Sequence, residues 1–216
     1  MSKLGLIVAG AILGIALGLG GTYYYLDRQY TYQGVLINPP AHAPDFRLTD
    51  QNGNPYQLSS RTGKVVLIFF GYTYCPDVCP VTLSEYKQIK ASLGAQSADV
   101  DFVLITVDPE RDTPERLRTY LENFDPAFIG LSGTETQLEA VWSNYGVYRQ
   151  RQPGESALGY LVDHSARIYA IDPHGQWRLN YPFGMEPERV SQDVAHLFEG
   201  EIGTAGCLPT PSCARI

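Results

Sequence analysis

Two thiols four residues apart, Cys75 and Cys79, sit in the run Gly71-Tyr72-Thr73-Tyr74-Cys75-Pro76-Asp77-Val78-Cys79-Pro80. A strand-like apolar stretch, residues 65–70, precedes this run, and a helix-like one, residues 81–93, follows it. The pair therefore stands where a buried strand hands over to a helix N-terminus. Unpaired backbone N–H groups and the helix dipole favour a thiolate at such a place. Thiolate is the form of cysteine that binds metals and attacks disulfides.

The spacing is C-x-x-x-C, not C-x-x-C. On a helix, side chains at i and i+4 share a face with Cβ atoms about 5–6 Å apart, whereas a disulfide wants about 3.8 Å. Two thiolates on one ion, with bonds of about 2.3 Å for zinc, hold their sulfurs roughly 4 Å apart. A metal chelate fits at least as well as a disulfide, which a distorted turn at Pro76 keeps open. Two buried structural cysteines are the plain alternative.

A two-thiolate site needs a further ligand, and the chain has four histidines. His42 lies in a proline-rich stretch, His174 in a turn and His196 in the last helical segment. His164 differs, because it lies between the strand-like Tyr160-Leu161-Val162 and residues 167–171. A thioredoxin-like fold would bring a cis-proline beside the cysteines there. No proline occurs from Gly154 to Ile171, so that redox feature is missing.

These residues need elements to hold them. Residues 46–49 and 56–58 alternate around Asp50-Gln51-Asn52-Gly53, the pattern of a β-hairpin. Residues 102–107 form a second continuous apolar strand, and 128–131 a short one. Thr113-Pro114-Glu115 opens a helix with a cap, a first-turn proline and an early carboxylate. Further helices are expected over 134–145 and from Glu186-Pro187 to about 198, and a strand over 177–181 after the turn at 172–175. Apolar strands alternating with helices indicate an α/β fold whose parallel or mixed sheet is covered on both faces.

The chain has 216 residues and a net charge of −7. That is one domain of ordinary size plus appendages. With no Lys/Arg cluster, nucleic acid is excluded as a partner. Residues 4–26 carry no charge, enough to span a bilayer core of about 30 Å. Lys3 and the amino terminus precede this span and Tyr23-Tyr24-Tyr25 close it, as an interfacial belt would. The expected organisation is a transmembrane anchor (1–26), a tether (27–44), a domain (45–199) and a cysteine-containing tail (200–216). The N-terminus is then cytoplasmic and the domain extracytoplasmic, on the periplasmic side. No small-x-small cleavage site is found between Gly20 and Asp27. Gly10, Gly14 and Gly18 line one stripe of the anchor, which leaves a helix-paired homodimer open. Outside the cytoplasm, Cys207 and Cys213 across a proline-containing loop are expected to form a disulfide.

Three motifs carry a resemblance. Phe-Phe-Gly-Tyr-Thr-Tyr-Cys-Pro-Asp-Val-Cys-Pro (69–80), Thr-Val-Asp-Pro-Glu-Arg-Asp-Thr-Pro (106–114) and Val-Asp-His-Ser-Ala (162–166) resemble the Sco/SenC family, in the same order. The resemblance implies a membrane-anchored, thioredoxin-like domain with helices flanking a mixed sheet. It implies copper delivery to the CuA site of cytochrome c oxidase subunit II, with Cys75, Cys79 and His164 as ligands. Thiolates select Cu(I), and imidazole also suits Cu(II). Asp77 and Asp163 are near enough in sequence to support the ligands. Another copper chaperone or a thiol reductant would load the site. The competing function is an enzyme, a thiol–disulfide oxidoreductase that reduces the CuA-site cysteines with Cys75 and Cys79. Residues 108–114 read as a turn and a helix cap, with no chemistry assigned.

Overall fold

The computed structural model describes residues 30–156 and 159–199, together with residues 14, 15, 17–19 and 21. At the centre, strands β4 (Val65–Gly71) and β5 (Val100–Thr106) run parallel, from Val65 opposite Val100 to Gly71 opposite Thr106. Every residue of both strands is buried. A strand covered on both faces has no solvent side, which is why these segments are nearly unbroken apolar runs.

Strand β6 (Ile129–Ser132) pairs parallel with β5. Antiparallel strands complete the sheet: β9 (Arg167–Ile171), β10 (Gln176–Pro182) and β1 (Val35–His42) on one side, and β2 (Arg47–Asp50) and β3 (Pro55–Gln57) on the other. The order across the sheet is β1-β10-β9-β4-β5-β6-β2-β3. The sheet is mixed, flanked by helices α1 (Val78–Leu93), α2 (Pro114–Glu122), α3 (Glu135–Asn144) and α4 (Pro187–Glu199).

Helix α1 buries Cys79, Thr82, Leu83, Tyr86 and Ile89, one stripe at helical spacing. The Tyr86 hydroxyl donates to the Leu67 carbonyl at 3.0 Å, which ties the stripe to β4. Gly94, at φ +56°, stops the helix in a conformation that costs glycine least. Helix α2 starts at the expected signal: the Thr113 side chain accepts from the Arg116 N–H, and Pro114 fills the first turn. Helix α3 has a full capping box between Thr134 and Gln137.

Three features depart from the sequence reading. Residues 35–42, read as tether, form β1 at the sheet edge; Pro39 and Pro40 fit there because an edge strand leaves one row of N–H groups unused. A polar segment for which no element was expected forms β7 (Arg149–Ser156), which pairs with β8 (Gly159–His164) in a separate two-stranded sheet. Helix α1 starts three residues earlier than expected, so Cys79 lies in its first turn while Cys75 precedes the cap, Asp77. Pro76 disfavours the helical conformation at Cys75. The two cysteines therefore do not share a helical face.

The expected anchor falls almost wholly outside the described residues; residues 14, 15, 17–19 and 21 are helical. Among the described residues no helix is long and apolar enough to cross a membrane. Cys207 and Cys213 also lie outside them.

Candidate metal centre

The C-terminal end of β4 delivers the chain into the turn that holds Cys75, and the first turn of α1 returns Cys79 beneath it. The Cys79 N–H donates to the Cys75 sulfur at 3.4 Å. Gly71 leaves room for this, since a Cβ there would stand 2.9 Å from the Cys79 sulfur and 2.7 Å from Cε1 of Phe69. His164, the last residue of β8, places Nε2 at 3.6 Å from the Cys79 sulfur. One ligand atom from each of Cys75, Cys79 and His164 lies within 4.8 Å of the others.

The imidazole is oriented from three sides. Its Nδ1 lies 3.2 Å from the Ser165 carbonyl, which leaves Nε2 as the ring nitrogen turned toward the sulfurs. Phe69 and Tyr72 meet the ring edge-on, with centroids 5.9 and 5.8 Å away. The Tyr72 hydroxyl accepts from the Val162 N–H at 3.1 Å, which fixes β8 against the cysteine loop two residues before His164.

The two thiols are electrostatically unlike. Hydrogen bonding from Cys79, reinforced by His164 and the Cys79 and Asp77 backbone amides against the opposing effect of burial, lowers the Cys75 thiol to about 4. Burial, with the neighbouring Cys75, pushes the Cys79 thiol well up. Cys79 is fully buried and Cys75 half-exposed. A metal-free site thus holds one accessible thiolate and one covered thiol. Because the Cys75 pKa is lowered, its thiolate predominates at every pH above about 4. Alkylation of Cys75 by iodoacetamide, followed by peptide mass spectrometry, should vary little between pH 6 and 8. An ordinary thiol with a pKa of about 8.5 would speed up almost tenfold per unit there.

The proposed supporting carboxylates are both exposed. Asp77 acts on Cys75 through its backbone amide, and the Asp163 carboxylate accepts from Gln152 at 2.8 Å across the hairpin. His42 and His174 line a depression at the opposite end of β4, with Lys64 and Val66. His196 pairs with Glu199 on α4.

The stretch read as a turn and cap, residues 108–114, is what sequence reasoning missed. Asp112 is fully buried. Its carboxylate accepts from the Thr73 N–H at 3.2 Å and from the Thr73 and Thr106 hydroxyls at 2.7 Å. It therefore ties the cysteine loop to the end of β5. Burial, opposed by these bonds, raises its pKa. Arg116 adds a bond to the Thr73 hydroxyl at 3.1 Å and stacks over Tyr74. A carboxylate next to a threonine cap carries no sequence mark that separates burial from solvation.

Two soft sulfurs and one imidazole nitrogen, open on the Cys75 side, form a donor set that fits copper in either common oxidation state. A SCO1/SenC family profile matches residues 36–199. The chain is 38% identical over 149 residues to an SCO2-like protein of Rickettsia felis, covering 68% of this chain and 73% of that one. It is 36% identical over 185 residues to the human mitochondrial SCO2 homolog, covering 82% and 70%. Among solved structures, ScoI of Bradyrhizobium japonicum with copper bound superposes with a TM-score of 0.67 at 39% identity, over 73% of this chain and 99% of that one.

Proposed function

The chain belongs to the SCO1/SenC family, and from that premise we propose that it is a copper chaperone that loads the CuA site of cytochrome c oxidase subunit II. Sco proteins handle copper during oxidase assembly. The observation that carries the reading is the convergence of Cys75, Cys79 and His164 within 4.8 Å. Cys75 and Cys79 supply thiolates that hold Cu(I), and His164 adds the ligand that makes Cu(II) tolerable. Copper leaves by ligand exchange: a thiolate of the acceptor approaches at the half-exposed Cys75 while the buried Cys79 keeps its hold. Residues 1–26 anchor the chain, with its N-terminus in the cytoplasm and the domain on the periplasmic side facing an oxidase in the same membrane. Cys207 and Cys213 pair as a disulfide in the tail.

The test compares copper affinity of the reduced full chain, carrying Cys207→Ser and Cys213→Ser, with the same protein bearing His164→Ala. One copper bound tightly, and weakened tenfold or more (about 1.4 kcal/mol) by His164→Ala, is the expected result. Both proteins binding copper equally poorly, while Cys75 and Cys79 cycle as a disulfide, sinks it.

That second outcome would favour a thiol–disulfide oxidoreductase. The low-lying Cys75 thiolate beside a protonated Cys79 is the arrangement such an enzyme needs. The two roles share the same pair, since only a reduced dithiol accepts copper.

A further inference from the structure

The two halves of the metal centre hang from different parts of the fold. Cys75 and Cys79 follow the central strand β4, whereas His164 ends β8, which belongs to the separate two-stranded sheet. One link between them is the bond from the Val162 N–H to the Tyr72 hydroxyl, and Arg111 forms a second. Its guanidinium carbon lies 4.7 Å from the ring centre of Tyr74 and 5.7 Å from that of Tyr72, both in the cysteine loop. On the other side it lies 3.7 Å from the ring centre of Tyr160, in β8.

Directional bonds lock this stack. Nη1 of Arg111 donates to the Tyr160 carbonyl at 3.0 Å. Nε donates to Asp108 at 2.5 Å. The other Asp108 oxygen accepts from the Tyr160 hydroxyl at 2.7 Å. Asp108 is fully buried and compensates the cation. Guanidinium is suited to this place because it stacks flat on aromatic rings and donates in its own plane at once, which an ammonium cannot do.

We infer that Arg111 is a positioning residue of the metal centre: with Asp108 it sets the gap between the Cys75 loop and the His164 strand, and so decides whether the imidazole reaches the sulfurs. The inference rests on the reading of Cys75, Cys79 and His164 as copper ligands. It gives the stretch 108–114 a role in the site beyond capping α2.

The test is a double-substitution cycle on the reduced full chain in the Cys207→Ser, Cys213→Ser background, read with Cu(II) itself. Arg111→Gln should weaken Cu(II) binding about tenfold, in the range seen when groups that orient metal ligands are lost. It should also diminish the imidazole nitrogen coupling in the electron paramagnetic resonance spectrum. In a His164→Ala background, Arg111→Gln should change the affinity less than twofold, because the group it positions is gone. Arg111→Lys should fail to restore binding. An equal loss in both backgrounds, or unchanged affinity and nitrogen coupling, overturns the inference. Should Arg111→Gln fail to fold, Tyr160→Phe, which removes only the hydroxyl bound to Asp108, carries the same cycle.

A metal-free readout separates this inference from the copper reading. In the apo protein the rings of Phe69 and Tyr72 should shift the His164 Hε1 proton resonance away from its free-histidine position. Arg111→Gln or Tyr160→Phe should return it toward that position. No movement sinks the positioning role even if copper binds; movement in a protein that binds no copper leaves the positioning and removes the chaperone.

Discussion

Cys79→Ser is expected to abolish copper binding, lowering Cu(I) affinity at least a thousandfold, or about 4 kcal/mol. The Cys79 sulfur is fully enclosed, beside Gly71 and 3.6 Å from His164 Nε2. A serine hydroxyl there is a hard donor that keeps its proton at neutral pH, and soft Cu(I) discriminates against it. The buried hydroxyl also costs about 1–3 kcal/mol of stability if it finds no partner, so Cys79→Ala serves as a companion that lacks this penalty. Competition against a coloured Cu(I) chelator reads the affinity, and circular dichroism confirms the fold. Retention of Cu(I) affinity within tenfold in both variants would mean that Cys79 is a core residue and not a ligand.

The largest effect on stability is expected at Asp112. Asp112→Ala leaves the Thr73 N–H and two threonine hydroxyls without their acceptor, in a place water does not reach. Each orphaned donor costs about 1–3 kcal/mol with partial relaxation, so a total loss of about 3–5 kcal/mol is expected in urea denaturation. Copper affinity should fall as well, because Thr73 is two residues from Cys75. The sign of the pH effect follows from the raised pKa. The folded protein takes up this proton at higher pH than the unfolded chain, so the contribution favours folding in acid and is lost as pH rises through the raised value. Asp112→Asn should remove that slope from the pH dependence of stability. A loss below about 1 kcal/mol for Asp112→Ala would contradict the buried-tie description.

What the sequence disclosed, and what it hid, divides along physical lines. Strands β4 and β5 declared themselves because burial on both faces demands apolar residues throughout. The start of α2 did so because a cap is a local device, complete within four residues. The cysteine pair and His164 could be singled out because few residue types bind soft metals and the thiols sit at a strand-to-helix junction. By contrast, β7 reads Arg-Gln-Arg-Gln-Pro-Gly-Glu-Ser. Its strand character comes from the partner it pairs with, not from any side-chain pattern. Asp112 and Arg111 were illegible for a related reason. Their partners lie 39 and 49 residues away, at Thr73 and Tyr160, and no local rule separates a solvated turn from a polar cluster closed over by distant strands.

The prolines of β1 have a consequence for life at high local concentration. The eight-stranded sheet ends in β1 on one side and the three-residue β3 on the other. The first carries Pro39 and Pro40 and a break in its register between Leu36 and Ala41; the second opens with Pro55. Proline has no N–H to lend, and a broken or very short strand cannot template a long ladder. Both borders are therefore poor templates for a foreign strand, which shields a central sheet as apolar as β4 and β5 from fibre-like growth.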